Sequence, residues 1–189
     1  MDGLGERVLS GPALWYLNRG TGVVLLVLYT LVVVLGIAGV ARRPGVRRLP
    51  QFAVQGLHRS LAGLATGLLL AHIVTAVVDT YVDIRWWDAL VPFGGLYRPL
   101  YLAAGALAVD LLIAVILTSL AKRRLSDRAW RLVHLAAYPS WAASLVHTVG
   151  IGTDVTTPWL RWILVGCVAT VAAATVARLV RGRVVAEQA

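Results

Sequence analysis

The sequence predicts an all-α integral membrane bundle with about five transmembrane helices, and three observations carry that expectation. Of 189 residues, 59% are hydrophobic and 14% charged, with a mean hydropathy of +0.77, far too apolar for an ordinary soluble domain. Five segments reach the roughly 20 mostly apolar residues that a helix needs to cross a bilayer core. The basic residues behind the net charge of +9 collect between those segments, as in cytoplasmic loops, and form no continuous face. That distribution argues against a nucleic-acid partner.

The five segments are residues 21–41, 53–78, 99–121, 129–150 and 158–180. The preceding "MDGLGERVLSGP" starts acidic and lacks a basic run, unlike a cleaved signal peptide. "ARRPGVRR" (41–48) follows the first span, "AKRRLSDRAWR" (121–131) the third, and "RLVRGR" (178–183) closes the fifth. With all three inside, the N-terminus lies outside, the C-terminus is cytoplasmic, and the second and fourth spans are parallel, both running outward. The expected organisation is an extracytoplasmic segment 1–20, a transmembrane domain 21–180 and a cytoplasmic tail 181–189, in a multi-pass protein of the cell membrane. The outward loop 79–98, "DTYVDIRWWDALVPFGGLYR", carries Asp79, Asp83 and Asp88. Its Trp86, Trp87 and Tyr97, with Tyr101, resemble an interfacial belt, and Trp15 and Tyr16 suit the start of the first span. Pro158, after the short loop "GIGTDVTTPW", suits the first turn of the fifth helix.

All four histidines fall in the two parallel spans, His58 and His72 in the second, His134 and His147 in the fourth. Matched depth pairs His58 with His134 near the cytoplasmic side and His72 with His147 near the outer side. Fourteen residues bring His72 back to within about 40° of His58, with a rise of roughly 21 Å, so one helix face carries one imidazole near each surface. The fourth span fits a straight helix less well, since thirteen residues leave His147 about 140° from His134. Pro139 lies between them, and a proline kinks a helix.

Any one of these histidines alone is ordinarily a polar residue hydrogen-bonded between spans, but four ionisable groups at matched depths point to a metal centre. A closed zinc site gathers four ligands at one point, whereas these form two separated pairs. Haem with imidazole on both iron faces needs two ligands per centre. Cys167 is the only cysteine, which excludes an intramolecular disulfide and covalent C-x-x-C-H attachment, so haem would be held non-covalently. Ser60, Gly63, Ala65, Thr66 and Gly67 would let a flat macrocycle approach the second helix or, equally, let helices pack closely. A single haem is the narrower alternative if the Pro139 kink misplaces His147.

"GLHRSLAGLATGLLLAHIVTAVVD" (56–79) and "RAWRLVHLAAYPSWAASLVHTVGIGTD" (128–154), supported by "ALWYLNRGTG" (13–22), resemble the ferric reductase-like transmembrane domain superfamily. That superfamily includes ferric reductases, NADPH oxidases and the haem-binding membrane subunit of the bacterial methionine sulfoxide reductase system. The likeness runs from about residue 13 to 180, and the spacings of 14 and 13 are those of its bis-haem members. It implies b-type haem, with His58 and His134 on an inner iron and His72 and His147 on an outer one. Larger members have six spans, and here the one preceding the first is absent. Only "RGRVVAEQA" follows Val180, so FAD or FMN and NAD(P)H are expected only through a partner protein.

Arg59 and Arg98 are candidates to pair with haem propionates at the inner and outer centres, Arg85 a weaker one, and each also reads as a loop or snorkelling charge. Asp110, mid-span in the third segment, would orient a ligand, relay a proton or sit protonated against a neighbouring hydroxyl. No nucleophile–base set, phosphate-binding loop or metalloprotease motif is present. Any chemistry would be the cofactor's. The expected function is transmembrane electron transfer from a cytoplasmic flavoprotein reductase or quinol to an outer-face acceptor, with loop 79–98 as the acceptor contact. The rivals are a histidine-lined metal or proton transporter, for which paired midplane carboxylates are expected, and a non-catalytic assembly subunit.

Overall fold

The protein is described here from a computed structural model covering residues 12–40, 50–79 and 82–186. Six α-helices follow in chain order: α1 Pro12–Val40, α2 Gln51–Val78, α3 Pro99–Leu120, α4 Asp127–His134, α5 Ala137–Ile151 and α6 Pro158–Ala186. Two short 3-10 turns, Trp86–Ala89 and Lys122–Arg124, complete the secondary structure of the described residues, which include no strand. Proline marks the start of every long helix: Pro12, Pro99 and Pro158 occupy first positions and Pro50 the N-cap of α2. There the missing N–H removes nothing, because the first-turn donors have no helical partner.

Among the described residues, four helices are long and apolar enough to cross a membrane, Ala13–Gly39, Gln51–Val78, Pro99–Leu120 and Pro158–Val180, with mean hydropathies of 2.1 to 2.6. By length and composition the chain is a multi-pass membrane protein. α1 begins well before the expected residue 21, and α6 runs past 180 to Ala186, so most of the expected tail is helical. The basic run 41–48, residues 1–11 and residues 187–189 lie outside the described residues.

The segment 129–150, expected as one span, is two helices. Pro139 cannot donate to the Leu135 carbonyl, the bond an unbroken helix would make. Tyr138 N–H takes that carbonyl at 3.1 Å and Ala136 N–H bonds Val133 O at 2.9 Å, both three residues back. The chain therefore tightens at 135–136 and restarts, leaving Pro139 in the first turn of α5.

The most extensive pairings are α1 with α2 and α3 with α5, and α1 also packs on α6 and α5. A core of Leu26, Tyr29, Val33, Ile37, Trp141, Cys167 and Val171 forms where α1, α5 and α6 meet. Polar bonds fix α5 on both sides: Trp141 Nε1 donates to Thr30 Oγ1 at 3.0 Å and Tyr29 to the Ala137 carbonyl at 3.1 Å at this junction, and Ser140 donates to the Ala108 carbonyl of α3 at 2.7 Å. Bonds of this kind hold helices together where the lipid supplies no hydrophobic drive between them. Between the α1–α2 and α3–α5 pairs lies a cavity of about 1800 Å³.

Candidate functional site

All four histidines line that cavity. His58, early in α2, faces His134 at the end of α4 with ring centroids 6.3 Å apart, and His72, late in α2, faces His147 of α5 at 6.5 Å. These are the pairs that matched depth predicts. An atom bonded at about 2 Å to one nitrogen of each ring would hold the two ring centres about 6 Å apart. Both pairs stand at that separation. The break at 135–136 is how thirteen residues bring His134 and His147 onto one cavity, because His134 closes one helix and His147 belongs to the next.

The ring nitrogens are already sorted. His58 Nδ1 lies 3.0 Å from the Val32 carbonyl, His72 Nδ1 3.0 Å from the Asn18 carbonyl, and His147 Nδ1 2.9 Å from the Tyr101 carbonyl. A carbonyl only accepts, so in each neutral ring Nδ1 carries the proton and Nε2 keeps its lone pair. Metal-ligating histidines use the same arrangement to fix tautomer and orientation. His134 differs, with Nδ1 3.5 Å from the Ser119 hydroxyl. Trp130 stacks on it with centroids 4.8 Å apart, and the Lys122 ammonium lies 4.7 Å from the Trp130 ring centre. Trp130 Nε1 is buried against the cavity and has no hydrogen-bond partner. Buried donors are rarely left so; this one suits an acceptor group on a molecule within the cavity.

Among the described residues no three His, Cys, Asp or Glu side chains gather as a metal-binding group. Two imidazoles at each end match a macrocycle that brings its own four equatorial nitrogens, and the cavity gives such a group room. The residues present therefore fit haem.

The other predicted residues are distributed unevenly. Arg59 lines the cavity beside His58. Arg98 instead donates to the Gly150 carbonyl at the end of α5 and is not among the cavity-lining residues. Arg85 holds Asp88, at 3.2 Å from Nε, and the Gly94 carbonyl, at 2.8 Å. Asp110 also stands off the cavity lining, so the backbone carbonyls, and not this carboxylate, orient the histidines. In the loop expected to meet an acceptor, Asp88 is turned inward and 1% exposed, whereas Trp86 and Trp87 are each 55% exposed.

Sequence reasoning missed three glycines. The Cβ that Gly22 lacks would lie 3.0 Å from the His72 ring, that of Gly36 3.6 Å from His58, and that of Gly105 would overlap His147. The legible signal was spacing: Gly22 and Gly36 are fourteen residues apart, as His72 and His58 are, on the helix that packs against theirs.

The fold and site thus define a multi-pass membrane protein, all-helical among the described residues, with two pairs of facing histidines lining one cavity. The chain belongs to the family described as domain of unknown function (DUF8596), which matches residues 13–154, a stretch containing all four histidines. No curated protein and no solved structure matches the chain.

Proposed function

We propose that the protein is a membrane cytochrome holding two b-type haems, one between His58 and His134 and one between His72 and His147, and that it carries electrons across the bilayer. The observation that carries this reading is the pair of imidazole separations, 6.3 and 6.5 Å, with Nε2 left free on the three rings that bond carbonyls. The resemblance to ferric reductase-like transmembrane domains points the same way. When bound, haem supplies a one-electron iron couple at each centre.

The chain's own residues supply position and polarity. His58 and His72, fourteen residues apart on α2, set the two centres roughly 21 Å apart along the helix. Arg59 and the Trp130 indole N–H are placed to receive carboxylates of the macrocycle at the His58–His134 centre. With α4 and α5 together making the fourth of five crossings, the basic segments lie inside and this centre is the inner one. A haem held by His58 and His134 would receive electrons from a cytoplasmic flavoprotein or quinol, and one held by His72 and His147 would deliver them to an outer acceptor, which Trp86 and Trp87 would meet.

A reduced-minus-oxidised spectrum with a pyridine haemochrome count tests this on the wild type beside His72→Ala and His134→Ala. Two haems per chain are expected in the wild type, falling to about one in either variant, since each removes one of the two imidazoles that would hold one centre. A colourless protein after expression with ample haem would leave the transporter and assembly-subunit readings standing.

A further inference from the structure

We infer that Gly22, Gly36 and Gly105 are positioning residues that fix the ligand histidines by each uncovering one backbone carbonyl, an inference that rests on the haem reading above. The three carbonyls that accept from histidine Nδ1 belong to Asn18, Val32 and Tyr101. In every case the residue four places further along the helix is glycine, Gly22, Gly36 and Gly105. The coincidence occurs twice on α1 and once on α3, for histidines on two different helices.

Helix geometry supplies the reason. A Cα–Cβ bond tilts toward the helix N-terminus, so the side chain of residue i+4 lies over the turn that carries carbonyl i. That carbonyl already accepts from the N–H of residue i+4 but has a second lone pair. With glycine at i+4 the oxygen is uncovered, and an imidazole from the neighbouring helix settles into the notch with Nδ1–H on it; at Asn18 the Thr21 hydroxyl, 2.9 Å away, shares the same carbonyl. Nε2 is then presented to the cavity in a fixed direction. The contacts grade the three sites. A methyl at 105 would overlap His147, one at 22 would press on His72 at 3.0 Å, and one at 36 would reach ordinary contact with His58 at 3.6 Å.

His134 lacks the device. Thirteen residues after Gly105, the same offset as separates the two histidines on α4 and α5, stands Thr118. Its hydroxyl bonds the Ala114 carbonyl four residues back at 2.7 Å, the group a glycine there would have opened. His134 turns to the Ser119 hydroxyl instead. The His58–His134 centre therefore has one carbonyl-anchored ligand and the His72–His147 centre two.

The test uses purified full-length protein with haem count, low-spin electron paramagnetic resonance and redox titration. Gly105→Ala and Gly22→Ala are expected to lose the signal of the His72–His147 centre, the haem count falling from two to about one, while the other centre's signal persists and reports a folded bundle. Gly36→Ala keeps both haems, with a shifted midpoint potential at the His58–His134 centre only. Gly166→Ala on α6, where a Cβ meets nothing within 4 Å, behaves as wild type, because alanine favours a helix over glycine. Should Gly105→Ala fail to fold, the milder Gly22→Ala decides. Two haems with wild-type spectra and potentials in the alanine variants at 22, 36 and 105 would overturn the inference and leave the haem reading intact. A wild type without haem would overturn both.

Discussion

Asp88 is the most deeply buried acid among the described residues, with its side chain fully enclosed in the loop before α3. Burial by itself would raise its pKa, but the hydrogen bonds and charge of Arg85 outweigh that and hold the carboxyl below the usual carboxylate range. Arg85 also grips the Gly94 carbonyl, so this one ion pair closes the loop from both sides. A depressed folded-state pKa contributes stability that is complete above the unfolded value and lost as pH falls through the folded one. Loop opening is therefore expected only on acidification below the usual carboxylate range, reported by Trp86 and Trp87 fluorescence. In Arg85→Gln burial remains and the charge is gone, which moves the transition to higher pH; an unmoved transition would show that the pair is not the anchor. The acidic and aromatic character of this loop was legible in the sequence. Which acid points inward was not, because that depends on Arg85 reaching a carbonyl nine residues away.

The α4–α5 break shows how far pattern reasoning reaches at the scale of an element. Hydropathy locates residues 129–150 as an apolar segment, and Pro139 marks it as irregular, yet neither says that the helix stops and restarts. That follows from which carbonyls find donors, with Leu135 O satisfied three residues on and the Ala137 carbonyl taking Tyr29 from α1. The histidine pairing was legible because depth along parallel helices is a one-dimensional quantity, read from residue count. The carbonyl acceptors were not, because they depend on the face that α1 and α3 turn to their neighbours. Pro139→Ala restores the missing N–H and lets an unbroken helix compete, which would swing His134 about 140° from His147. The expected result is loss or spectral change of the His58–His134 centre alone. Unfolding free energy should fall by no more than about 1 kcal/mol, the usual effect of removing a compatible proline. Haem count and denaturant unfolding measured on one preparation check both parts, and unchanged spectra would assign the break to the Tyr29–Ala137 contact.

The whole molecule is organised around a space. α1 with α2 forms one half and α3 with α5 the other, and the face-to-face histidines span a cavity of about 1800 Å³. Protein interiors pack as densely as organic crystals, and α2 has only Ala65 buried along its 28 residues. Beyond its packing on α1 this helix faces the cavity, so its position depends on whatever fills that space. On the haem reading proposed above, haem would be a structural element of the bundle as well as its redox group; a ligand that binds only the folded state stabilises it by mass action, about 2.7 kcal/mol per site at a hundredfold excess over Kd. Protein made in haem-depleted cells should therefore unfold at lower temperature than the loaded form, with α2 the first helix to exchange its amide hydrogens. Adding haemin in detergent should raise the unfolding midpoint of the wild type, and should do so much less in a His58→Ala, His72→Ala double variant, which removes both ligands that α2 contributes. Equal midpoints for depleted and loaded wild type would mean that the helices close the cavity without a cofactor.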